Sequence, residues 1–144
     1  MREKDCIFCK IASNEVPSFT IYEDEYVKAF LDLSQGTPGH SLIIPKQHVK
    51  DIFEYDDELA EHVLPIIPKV AKAIKKSDPN IIAMNILNNN GEKALQTIFH
   101  SHIHLIPRYK DDDFNIIFHD HSKEYQESDY KKIQNKIINN LNQD

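Results

Sequence analysis

Three histidines at alternate positions, His100-Ser101-His102-Ile103-His104, are the residues of this chain best suited to chemistry. In an extended strand alternate side chains share a face, so the three imidazoles are expected to point the same way, about 6.5–7 Å apart. With eight histidines in 144 residues, such a run arises by chance about 0.02 times, which argues against accident. Three readings compete. The run is the solvated face of an edge strand, or two of its members hold a catalytic metal, or a neutral imidazole is a nucleophile. On the strand rise His100 and His104 stand about 13 Å apart, too far to share an ion. The nucleophile reading leads. Histidine titrates near neutrality, and its attack on phosphorus splits one displacement into two easier ones.

Cys6 and Cys9 form a C-x2-C pair. A disulfide scaffold does not fit two cysteines in a chain with intracellular character. A redox pair expects a preceding strand, and only five residues come before Cys6. A structural zinc site needs two further ligands from far along the chain, and two reduced buried thiols without metal are the bland alternative.

The rest of the sequence must position these groups. Thr20-Ile21-Tyr22 and Tyr26 to Leu31 read as strands, with Val27, Ala29 and Leu31 alternating. Ser41 to Ile44 is a short apolar strand ended by Pro45, Ile81 to Leu87 is another, and the histidine strand runs from about Thr97 to Ile106, limited by Pro107. Between them Asp56 to Lys76 carries Leu59, Val63, Ile66, Ile67, Val70 and Ile74 on one helical face, with acids first and lysines last. Pro65 and Pro68 inside that pattern predict a kink or break. Asp111-Asp112-Asp113 reads as a solvated acidic turn. Ser128 is the expected cap of a final helix with Tyr130, Ile133, Ile137 and Leu141 on its apolar face. His119 and His121, beside Asp120 and Ser122, read as solvated surface. Short connections and one main helix predict an α+β fold with an antiparallel sheet.

Composition narrows the chemistry. The net charge is −6, the basic residues are scattered, and Arg2 and Arg108 are the only arginines, so neither a nucleic-acid surface nor an arginine phosphate clamp is expected. The three glycines, Gly36, Gly39 and Gly91, fit no Gly-rich phosphate loop. No apolar run reaches membrane-helix length, and the first residues are too polar for a signal peptide, so a soluble cytoplasmic protein with no membrane partner is expected.

The segment His100 to Ile106 resembles the H-x-H-x-H-x-x signature of the histidine triad (HIT) nucleotide hydrolases and transferases. Cys6 to Ile11, Tyr22-Glu23-Asp24, Ala29 to Asp32, Gly39 to His48, Asn88 to Gly91 and Ile106 to Tyr109 fall in that family's order. The resemblance covers residues 5–110 and is strongest to small bacterial-type members with an N-terminal zinc site. It implies a HIT domain over 1–110 and a C-terminal extension with a helix over 111–144. The implied fold is α+β, a five-stranded antiparallel sheet with one main helix, and a homodimer through the Asp56–Lys76 helix.

The resemblance also implies roles. His102 matches the nucleophile and His104 a contact to phosphate oxygens. His40 matches a histidine bordering the same phosphate. Asp32 matches the carboxylate that binds ribose hydroxyls. Ile7, Phe8, Ile11 and Leu33 match the apolar slot around the base, and Asn89, Gln96 and Thr97 the polar loop around phosphate and leaving group. Cys6, Cys9, His48 and His100 match the zinc ligands. Read without the family, the apolar four are core, Asp32 and Asn89 are turn formers, His40 is held by backbone and Thr97 is a plain strand residue. The implied reaction is hydrolysis at the α-phosphate of a purine nucleotide derivative such as an AMP phosphoramidate or a dinucleoside polyphosphate, through a covalent His-nucleotidyl intermediate. Three departures stand out. Leu95 precedes Gln96 where the family usually has glycine, Thr97 follows it where serine is common, and Ser101 is polar where the family is usually apolar. Leu95 keeps a rival reading open: a zinc-stabilised nucleotide-binding or interaction protein with weak or vestigial catalysis.

Overall fold

The computed structural model describes residues 3–141. The chain divides after Phe114 into a larger unit and a smaller C-terminal one. In the larger unit, β1 (Thr20–Glu23), β2 (Val27–Leu31), β3 (Ser41–Pro45), β4 (Ala83–Leu87) and β5 (Ile103–Arg108) form one sheet in the order β1-β2-β3-β5-β4. Every neighbouring pair is antiparallel. Helices α1 (Ile7–Ala12), α2 (Asp57–Val63) and α3 (Ile66–Ser77) complete the unit, so the fold is α+β as expected.

Both faces of the sheet are covered, and the period of two sorts the residues between them. Val27, Ala29, Ile43, Ile103 and Leu105 pack against Leu59, Val63, Ile66, Val70 and Ile74 of α2 and α3. Phe30, Leu42 and Ile44 pack against Phe8, Ile11 and Ala12 of α1. Strand β2 is therefore buried on both sides, not alternately exposed. Lys28 points to the α1 side, where its Nζ donates to the Ile11 carbonyl at 2.9 Å and to Asn14 Oδ1 at 2.7 Å. A buried ammonium is tolerable only when partnered in this way, and here it pins the end of α1 to the sheet.

The predicted long helix is two. Asp56 caps α2 by accepting from the Leu59 N–H at 2.8 Å. The break falls at Leu64-Pro65, and Pro68 sits in the first turn of α3, where its missing N–H has no intrahelical partner to lose. The sheet holds two further corrections. Strand β5 begins at Ile103, so His104 alone of the three histidines lies in the ladder, while His100 and His102 sit in the bent segment that leads into it. Pro107 does not end β5, which continues to Arg108. The Asp111–Asp113 turn is not wholly solvated: Asp112 takes Arg108 in a two-pronged ion pair at 2.9 Å and accepts from the Tyr109 N–H. Those bonds, the Arg108 pair foremost, hold its carboxyl well below the usual range.

In the smaller unit α4 spans Glu127–Ile138. Its cap is Gln126, two residues before Ser128, because Gln126 and Asp129 bond each other's backbone in a reciprocal capping box. Tyr130, Ile133, Ile137 and Leu141 are exposed, as are His119 and His121. Among the described residues no helix is long and apolar enough to cross a membrane.

Candidate functional site

The site is built on the α1 side of the sheet. Cys6 caps α1, its sulfur accepting from the Cys9 N–H at 3.2 Å, so both thiols stand at the start of one short helix. Their partners arrive from afar. Cys6 Sγ lies 3.3 Å from His100 Nδ1, Cys9 Sγ lies 3.3 Å from His48 Nδ1, and the two Nδ1 atoms are 3.1 Å apart. All four donor atoms fall within 4.8 Å of one another. For a tetrahedral ion bound at ordinary S and N distances, the ligand atoms would be about 3.4–3.8 Å apart. The ring tautomers also fit. His100 Nε2 is 2.8 Å from the Pro45 carbonyl, which accepts only, so the proton is on Nε2 and the Nδ1 lone pair faces the thiols. Glu3 Oε1, 3.4 Å from His48 Nε2, favours the same tautomer there. Burial, the largest influence, drops His100 to about 4, which keeps that lone pair available. Burial pushes the Cys6 thiol up, against the thiolate. The cluster could hold a metal ion.

His102 is next along the chain. Its Nδ1 is 2.8 Å from the His100 carbonyl, so Nδ1 carries the proton and the Nε2 lone pair is free among the described residues. The Phe8 ring meets His100 and His102 edge-on, with centroids 5.9 and 5.0 Å away. The His102 carbonyl accepts from Asn88 Nδ2 at 3.0 Å. Asn88 therefore holds the backbone of His102, a role the run Asn88-Asn89-Asn90 gave no signal for. The His104 ring lies 5.1 Å from that of His102 and 5.2 Å from that of His40. Burial lowers the pKa of His102 and of His40, though the His100 carbonyl and Asp32 oppose it respectively. Burial, with the charges of His102 and His40, takes His104 down to about 4. Asp32 Oδ2 is 3.6 Å from His40 Nε2. Burial pushes the Asp32 carboxyl up, but the Ser34 hydroxyl and amide and the two nearby histidines overcome it and hold the group low.

Beside these groups opens a cavity of about 260 Å³. Ile7, Phe8, Ile11, Asp32 and Leu33 all line it, which brings the residues matched to base and ribose into one place. Phe30, Leu42 and Ile98 also line it and escaped the sequence reading, since each looks like ordinary core. Gln96 is buried and its amide is committed: Nε2 donates to the Lys50 and Ile98 carbonyls, and Oε1 accepts from the Gly91 N–H. It braces the loop from within. Thr97 is exposed and Asn89 half-buried. Leu95 adopts the left-handed conformation at φ 71° with its side chain 78% exposed. The loop thus keeps a turn suited to glycine and carries a strain of about 1–2 kcal/mol for doing so with a branched residue.

The chain matches the HIT domain family over residues 13–111 and belongs to that family. It is 47% identical over 140 residues to the Bacillus subtilis protein named Protein hit, covering 96% of this chain and 95% of that one. It is 40% identical over 128 residues to the Saccharomyces cerevisiae protein named adenosine 5'-monophosphoramidase HNT1, covering 89% of this chain and 75% of that one. A crystal structure of a Bacillus subtilis HIT family member superposes with a TM-score of 0.94 at 45% identity, over 98% of this chain and 100% of that one. A zinc-bound histidine triad family protein from Mycobacterium smegmatis superposes with a TM-score of 0.72 at 34% identity, over 83% and 86% of the two chains.

The depressed His104 has a consequence for stability. Unfolded, the ring takes a proton near pH 6.5; folded, it resists until about 4. Its contribution is therefore complete above about pH 6.5 and is lost as pH falls from there through about 4, because the unfolded state binds the extra proton. Urea midpoints measured between those limits should fall with pH, and His104→Gln should make the fall shallower. An equally steep fall in the variant would contradict this assignment.

Proposed function

We propose that this protein hydrolyses purine nucleotide derivatives at the α-phosphate, AMP phosphoramidates first among them, through a nucleotidyl group carried on His102. The observation that carries the reading is the tautomer of His102: a proton on Nδ1, held by the His100 carbonyl, and a bare Nε2, on a ring packed against Phe8 of the cavity wall. The base would lie between Ile7, Phe8, Ile11 and Leu33, with the ribose hydroxyls on Asp32. The Nε2 lone pair forms the P–N bond as the bond to the leaving group breaks, and the leaving group departs with a proton from water. The ring is then cationic, and its Nδ1–H bond to the carbonyl strengthens as charge develops. Water attacks the phosphorus in the second step, the P–N bond breaks, and the imidazole returns neutral with the nucleoside monophosphate released. His104 stabilises the phosphoryl oxygens, and Thr97 lies in the loop on the leaving-group side. The relative named as a phosphoramidase supports the substrate class.

His102→Ala removes the attacking atom without touching the slot. Turnover of an adenosine phosphoramidate should fall by about 10⁴-fold or more while AMP binding changes little. Near-wild-type turnover in this variant would exclude the mechanism.

The ion we assign to Cys6, Cys9, His48 and His100 is zinc, the divalent metal that two thiolates and two imidazoles in a tetrahedron select. Bound, it supplies a structural tie between α1 and the histidine lead-in. Protein purified without chelators should carry about one zinc per chain, and Cys9→Ser should lose it and melt at a lower temperature. Metal analysis finding none would defeat the assignment.

A homodimer completes the reading. Helix α3, in the Asp56–Lys76 stretch, lies beside the edge strand β4 with its exposed Ile86, a surface that a second copy would cover. Light scattering should give twice the chain mass, and a monomer would refute the dimer alone.

A further inference from the structure

The loop from Asp32 to His40 is wound more tightly than a strand connection requires. The Asp32 N–H donates to the His40 carbonyl, and the His40 N–H to the Thr37 carbonyl, both at 3.0 Å. Gln35 sits at φ 40°, and its side chain bonds the Asp32 and His40 carbonyls and the Gly39 N–H. The result of this winding is one directed bond: the Gly36 N–H donates to His40 Nδ1 at 3.1 Å. Residue 36 must approach the ring closely, and a Cβ there would stand 3.3 Å from Nδ1.

A backbone N–H can only donate, so His40 Nδ1 holds the lone pair and Nε2 holds the proton. His40 Nε2 lies 2.9 Å from His104 Nδ1. That contact is then a bond from His40 to His104, which leaves the His104 proton on Nε2. His102 has the opposite arrangement, because a carbonyl faces its Nδ1. Two neighbouring imidazoles in one site are thus held in opposite tautomers by opposite backbone groups. One presents a bare nitrogen and the other an N–H.

We infer that His40 is a positioning residue: it acts through His104, whose Nε2–H it fixes as a donor to a phosphoryl oxygen, and does not itself touch the phosphate. The inference rests on the hydrolytic reading for its catalytic consequence, whereas the tautomer stands without it. Asp32, 3.6 Å from His40 Nε2, favours the proton at that atom. Were the His40 proton on Nδ1 instead, Asp32, His40 and His104, whose donor atoms all lie within 4.8 Å, would form a cation site. The Gly36 N–H opposes that arrangement.

The test is the ¹⁵N chemical shifts of the imidazole nitrogens in the full-length, metal-loaded protein labelled at histidine, which separate protonated from bare ring nitrogens. Wild type should show His40 and His104 protonated at Nε2 and His102 at Nδ1. In His40→Ala the His104 signals should move to a mixture of tautomers, and kcat should fall about tenfold with KM little changed, the worth of one oriented hydrogen bond. His40→Gln, whose amide can donate to the same Nδ1, should restore both. Gly36→Ala, which crowds the ring at its lone-pair side, should shift the His104 signals in the same direction as His40→Ala. A wild-type His104 protonated at Nδ1, or a His40→Ala protein with unchanged His104 shifts, would overturn the inference. Shifts that behave as expected in a protein with no phosphoramidate turnover would leave the relay standing and remove the hydrolytic reading instead.

Discussion

The 2.8 Å bond from His102 Nδ1–H to the His100 carbonyl joins the two halves of the site through one residue. The ring of His100 belongs to the thiol–imidazole cluster, while its carbonyl decides which nitrogen of the next imidazole is bare. Anything that moves the cluster moves the tautomer-setting group with it. The neighbourhood reinforces the same bond. Asn88 holds the peptide on the far side of His102, and Phe8, on the helix that bears both cysteines, packs against both rings.

Helix α1 is six residues long and could not stand alone in water. It persists because its two ends are tied: at the start by cysteine sulfurs that face His48 and His100, at the end by the buried Lys28 ammonium on the Ile11 carbonyl. Its inner face then forms a wall of the apolar cavity. Both cysteines, three apolar residues of the cavity wall and the ring neighbour of His102 thus share one short segment, whose position depends on contacts from β2, β3 and the approach to β5.

The two faces of the sheet divide the labour. One carries the packing with α2 and α3, where Leu105 and Ile103 are buried. The other turns His104 toward His40, beneath α1. Because side chains alternate, a slip of one residue in β5 would exchange His104 for a core aliphatic, so burial of the aliphatic set fixes which face that ring occupies. Deep burial then keeps the imidazoles neutral, which is the form in which one can attack and its neighbour can donate.

Residue types and local periodicity were enough to find the strands, the acid-first helix with its break near Pro65, and the histidines and cysteines as the chemical groups. Those signals are short-range, a period of two or of 3.6 and a proline without an N–H. Other features escaped them because they arise between segments far apart in the chain. Gln96 looked like a ligand contact, yet its amide is spent on the backbone of residues 50, 91 and 98. Asn88 and Asn89 were indistinguishable until one met the His102 carbonyl. The sequence by itself determined which imidazoles and thiols are present and that three of the imidazoles crowd one short segment. Tertiary structure alone decided where each proton sits, because an imidazole's tautomer is set by whichever donor or acceptor the fold brings to its other nitrogen: the amide of residue 36 for His40, and the carbonyl of residue 100 for His102.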